Sequence, residues 1–175
     1  GLVVGHGGRD LAWLRAGSSV EVHAVNVTIG HLADATGTFS VYGALNSEGL
    51  LVDEHLIIAN EGLGTLETDD DAKITCGAAV VGLADTAIGE VILTGPETSL
   101  TCSGPFTVGK SGAGVITVGE EATLSSHDAI IGQVEDSTGA VTVTGDAHWS
   151  INGTLDVGMM GFGSLRIEDG ASVTN

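Results

Sequence analysis

Proline occurs only twice in the 175 residues and aromatic side chains make up 3% of them, which excludes a collagen-like chain or a Pro-rich linker. Basic residues are equally scarce, with 5 Lys and Arg against 23 Asp and Glu, so the formal net charge is −18. Such a surface repels phosphate backbones and anionic headgroups, which argues against nucleic-acid and membrane-surface partners. The sequence also lacks an apolar run of 18 residues, so no membrane insertion by this segment is expected, and it contains no signal-peptide pattern. Cysteine is limited to two residues.

Glycine, by contrast, is abundant, at 28 residues, and 42% of the chain is hydrophobic. Glycine supplies the positive φ that tight corners need, while Val, Ile and Thr supply pleated surfaces between them. The arrangement is periodic. A β-branched aliphatic followed by Gly or Ala recurs at Val4-Gly5, Ile29-Gly30, Ile58-Ala59, Val81-Gly82, Val108-Gly109, Ile131-Gly132 and Val157-Gly158. Successive marks are 25, 29, 23, 27, 23 and 26 residues apart. A repeat of this length is the signature of a solenoid, and each period holds strand-like runs with no segment long enough for a helix. The fold class predicted is all-β: a right-handed parallel β-helix of about seven coils of roughly 25 residues, forming a single domain over residues 1–175.

Behind each mark, alternation predicts a pair of inward side chains: Leu11/Trp13, Phe39/Val41, Leu66/Thr68, Val91/Leu93, Ile116/Val118, Val141/Val143 and Leu165/Ile167. The first members, Leu11, Phe39, Leu66, Val91, Ile116, Val141 and Leu165, form the expected structural core. The residues between them, Ala12, Ser40, Glu67, Ile92, Thr117, Thr142 and Arg166, are expected to face water. A third column follows at Val20, Ile74, Leu100, Leu124, Trp149 and Val173, giving three strands per coil. The coil between Gly30 and Ile58 resists alignment. Leu45 is a candidate for its third column, and residues 46–55 read as an outward loop. Because the chain starts and stops inside a repeat, it is expected to be a fragment of a longer repeat protein, or else a filament subunit whose open ends stack.

Several residues invite a functional reading. Asp69, Asp70, Asp71, Glu120, Glu121, Glu168 and Asp169 fall just before the third strand on alternate coils, with Glu97 and Asp146 nearby on the coils between. They form either a solvated acidic edge or a weak Ca²⁺ candidate, the latter without the Gly-Gly-x-Gly-x-Asp pattern. No other metal and no cofactor is expected. Cys76 and Cys102 each lie two residues after a third-column member, which places them one rung apart on adjacent coils. A disulfide and a stacked pair of buried thiols both fit that placement. The histidines at 6, 23, 31, 55, 127 and 148 are scattered over different positions of the coil and predict no zinc site. Neither a Ser-His-Asp set nor a phosphate loop is evident, so no catalytic residue is assigned.

The run from Val141-Thr142-Val143-Thr144-Gly145 through His148-Trp149-Ser150-Ile151-Asn152-Gly153 continues with Leu155-Asp156-Val157-Gly158, Gly161-Phe162-Gly163-Ser164-Leu165-Arg166-Ile167 and Gly170-Ala171-Ser172-Val173-Thr174-Asn175. It resembles the repeat associated with autotransporter (type V secretion) passengers and PEP-CTERM surface proteins. Residues 105–175 follow the pattern closely, and the earlier coils depart from it, as at Arg9 and Ala59 where it has Gly. The resemblance implies export to the bacterial cell surface or the extracellular space and an extended β-helical stalk, without implying a reaction.

The expected function is therefore structural: a section of a secreted or surface-displayed passenger acting as a stiff stalk or adhesin shaft. One alternative is a glycan- or host-protein-binding module on the side of the rod, testable by whether Tyr42, Phe162 and the 46–55 loop share a surface. Another is end-to-end self-association into an extracellular filament. An enzyme is not expected, because polysaccharide-cleaving β-helices gather Lys or Arg with carboxylates at mid-rod. Here Arg9, Arg15, Lys73, Lys110 and Arg166 are spread from end to end.

Overall fold

Runs of alternating apolar and polar residues rich in Val, Ile and Thr extend into strands. Parallel pairing between consecutive strands requires a crossover, which each winding of the chain supplies. The computed structural model describes residues 1–8, 11–16, 21–43, 49–69 and 71–175, with Leu11 described by its backbone alone. Among these residues there is no helix, and all sixteen strand pairings are parallel.

The first sheet has eleven strands. They are β1 (Leu2–Val4), β3 (Val22–Ile29), β5 (Leu50–Ile58), β7 (Lys73–Val81), β9 (Ser99–Cys102), β10 (Phe106–Val108), β12 (Thr123–Ser126), β13 (Ala129–Ile131), β15 (His148–Ile151), β16 (Leu155–Val157) and β18 (Ser172–Thr174). The second sheet has seven: β2 (Leu11–Ala16), β4 (Thr36–Val41), β6 (Leu63–Thr68), β8 (Ile88–Leu93), β11 (Ala113–Val118), β14 (Thr138–Val143) and β17 (Phe162–Ile167). One strand of the second sheet belongs to each winding, so the chain is a parallel β-solenoid of about six complete turns. From β9 onward each coil has three strands, as expected. In β3, β5 and β7 the third strand of one coil runs without a break into the first strand of the next.

All seven marks fall in one file: Val4 pairs with Ile29, then Ile58, Val81, Val108, Ile131 and Val157 in turn. The residue after each has φ between 62° and 75°. Glycine is required there for two reasons. Positive φ strains any residue with a Cβ, and a Cβ on Gly109, for example, would collide with the carbonyl oxygen of Thr138 on the next coil. Ala59, at φ 62°, is the one alanine in the file and is fully buried. The inner column of the second sheet also stands as read from Phe39 onward, through Leu66, Val91, Ile116 and Val141, all buried and paired in register. Leu165 and Ile167 continue the inner positions but touch a neighbouring coil on one side only, so Leu165 is half-buried and Ile167 is 47% exposed.

Four expectations are corrected. In the first coil Leu14 and Ala16, not Leu11 and Trp13, pair with Phe39 and Val41; Leu11 pairs with Thr36, and Trp13 is 56% exposed. Leu14 stands nine positions after the Gly of the first mark, as Phe39 does after that of the second, and counting forward from a shorter turn misplaces the strand by three. Consequently Ala12 joins a file of close-packed glycines (Gly37, Gly64, Gly89, Gly114, Gly139, Gly163), and Arg15 takes the outward position. Ser40, expected to face water, is fully buried. The stretch expected to loop outward is largely strand: Leu50 and Val52 are core residues of β5, and one surplus residue makes a bulge between Val52 and His55. Residues 44–48, and with them Leu45, lie outside the described residues, as does Val20. Their places in the third column are filled by Val22 and Leu50, followed by Ile74, Leu100, Leu124, Trp149 and Val173.

Candidate functional site

The acidic residues form one corner of the coil. Working back from the paired Lys73, Ser99, Thr123 and His148, the residues Asp71, Glu97, Glu121 and Asp146 hold the same place on four successive coils rather than on alternate ones. Their φ angles of 60–66° place all four in the left-handed region, as are Glu120 and Asp169 one position earlier at 53° and 50°. Backbone bonds run through the corner from Asp71 N to Pro96 O, Glu121 N to Gly145 O and Asp146 N to Asp169 O. Asp69 and Glu168 lie on the approach to the same turn, and Asp70 lies outside the described residues. Among the described residues no three His, Cys, Asp or Glu side chains group so as to hold a metal ion. The corner is thus built by turn geometry, with the carboxylates facing solvent.

Cys76 and Cys102 occupy one register position on β7 and β9, with Cα atoms 4.7 Å apart, and are joined by a disulfide inside the core. The histidines are less scattered than their spacing suggested. His6 and His31 each follow a mark and stack with ring centroids 5.0 Å apart. The others cross-link neighbouring coils or cap corners: His23 with Asp53 at 2.8 Å, His55 with Asn26 at 3.2 Å, His148 with Ser172 at 2.8 Å and His127 with Asp128 at 3.1 Å. Asp128 accepts from the Thr154 backbone amide at 2.8 Å, and this bond, with those from His127 and the Thr154 hydroxyl, holds its carboxyl below the ordinary value.

The outer face of the second sheet carries a constellation that periodicity did not reveal. Trp13 stands on β2 with its indole Nε1 donating to Ser40 Oγ on β4 at 3.1 Å. Ser40 in turn donates to Glu67 Oε1 on β6, and the Tyr42 hydroxyl donates to the same oxygen at 3.3 Å. The Arg15 guanidinium lies over the Tyr42 ring, 4.3 Å from its centroid. Three successive rungs therefore contribute a connected set of Trp, Arg, Ser, Tyr and Glu, which explains why Ser40 is buried. Thr38 and Thr65 follow Trp13 in the same outward file. The signal available in the sequence was the outward position of Ser40 and Glu67 in adjacent repeats, but the misplaced first strand hid Trp13 and Arg15 from it. Phe162 does not share this surface: its strand, β17, is separated from β4 by four others.

On the first sheet a depression of about 290 Å³ is lined by His55, Ala78, Val80, Thr107, Lys110 and Gln133, among others. The Gln133 Oε1 is buried there without a hydrogen-bond partner. No helix of the described residues is long and apolar enough to cross a membrane. In comparisons with known proteins, the chain matches no family model, no curated protein and no solved structure.

Proposed function

We propose that this chain is a non-catalytic, stiff section of a bacterial extracellular surface protein, a β-helical shaft of the autotransporter-passenger kind. The observation that carries the reading is the buried Cys76–Cys102 disulfide between adjacent coils, because such bonds persist in exported proteins and are rare in reducing compartments. Unbroken apolar files support it, since a rod whose coils interlock in register resists bending at any one rung. The resemblance of residues 105–175 to the passenger-associated repeat agrees with the same reading. Intact cells that make the natural protein are treated with protease from outside, and thiols are then alkylated as the protein is unfolded in denaturant, because both cysteines are buried in the folded chain. The expected result is a chain with no reactive thiol, cleaved by the external protease. Free Cys76 and Cys102 in a chain that protease cannot reach overturns the proposal.

A further inference from the structure

We propose that Trp13, Arg15 and Glu67 form a binding site for a neutral sugar ring of a glycan. Trp13 stands on β2, the end strand of the second sheet, and is 56% exposed while its Nε1 is held by Ser40. The indole is thereby fixed with a free face toward solvent. An aromatic face carries partial negative charge and is complementary to the C–H face of a pyranose, and an ordered ring loses little entropy on binding. Polar partners for the hydroxyls stand beside it. Tyr42 braces the Arg15 guanidinium from one side, leaving its N–H groups free to donate, and Arg15 has no ion pair among the described residues. Glu67 uses Oε1 for Ser40 and Tyr42, which leaves Oε2 to accept. The Thr38 and Thr65 hydroxyls extend the polar row along the rod over the next two rungs. A few convergent polar groups beside an apolar plane are what a sugar site requires. The net charge of −18 selects a neutral glycan over a polyanionic one. The site rests on this cluster alone and stands whether or not the rod is exported.

The protein carries its own reporter. Its second tryptophan, Trp149, is fully buried, with Nε1 bonded to Ser126 and the ring edge-on to Phe106, so a neutral quencher such as acrylamide reaches Trp13 selectively. The full chain is titrated with cellohexaose, laminarihexaose, mannohexaose and chitohexaose while acrylamide quenching is followed. At least one of the four is expected to protect Trp13 saturably. Trp13→Ala is expected to weaken binding, measured by calorimetry, by roughly tenfold or more. Arg15→Gln leaves the core and the reporter intact, and is expected to weaken it about fivefold. If none of the four sugars protects Trp13, the proposal fails. It also fails if hexagalacturonate binds in their place, if Arg15→Gln binds as the parent does, or if Trp13→Ala only lowers the melting temperature and leaves affinity unchanged.

Discussion

His23 and Asp53 illustrate how single side chains tie one winding to the next. The hydrogen bond that His23 Nε2 donates to the Asp53 carboxylate, reinforced by that group's charge, raises the imidazole pKa above its ordinary value, although the pair is exposed to solvent. A raised folded-state pKa contributes stability that is complete below the unfolded value of about 6.5 and is lost as pH rises through the folded value. The urea midpoint of the parent is therefore expected to fall modestly between about pH 6 and pH 8, and Asp53→Asn to flatten that trend. If both proteins show the same slope, the pair does not contribute. Contacts of this kind were hard to read from the sequence because their partners lie about one coil apart. Pairing them needs the register to the residue, and a three-residue error in the first strand was enough to conceal Trp13 and Arg15. The inward residues were legible because a buried aliphatic leaves the same mark on every coil.

At the scale of the strand and its corner, the glycine file decides what the backbone tolerates. Ala59 holds φ 62° where its six counterparts are glycines. Left-handed backbone costs a residue with a Cβ about 1–2 kcal/mol, partly offset by the greater entropy that glycine loses on folding. Ala59→Gly is thus expected to stabilise the protein by up to about 1 kcal/mol. Gly109→Ala, which adds both the strain and a collision with Thr138, is expected to cost at least about 2 kcal/mol. Urea unfolding of the two variants checks both signs, and a destabilised Ala59→Gly would refute the account. The marks were visible because they repeat a rigid steric demand. The bulge in β5 was not: Asp53 and Glu54 stand opposite a single residue on each neighbouring strand, and the exposed run Asp53-Glu54-His55 interrupts the apolar residues, so one extra residue within a strand looks like a loop.

At the scale of the whole rod, 23 acidic side chains face 5 basic ones, and four carboxylates line successive corners. Their mutual repulsion is screened by salt, so the melting temperature is expected to rise by a few degrees between about 0.01 and 0.5 M NaCl. A melting temperature that falls or stays constant over this range would show that the acidic surface is not a source of strain. The architecture was legible here because seven marks predict about seven windings, close to the six complete turns that the seven strands of the second sheet span. The function was less so: the repeating residues face inward and specify packing, whereas recognition belongs to outward residues that differ from coil to coil.

Because Val91, Ile116 and Val141 meet in register at steps of 25 residues, each winding joins its neighbours by the same joint. Such a chain has no privileged length. Tandem duplication or loss of one unit adds or removes a storey of about 4.8 Å while every remaining joint closes as before, so evolution can adjust the reach of the rod without redesigning its interior.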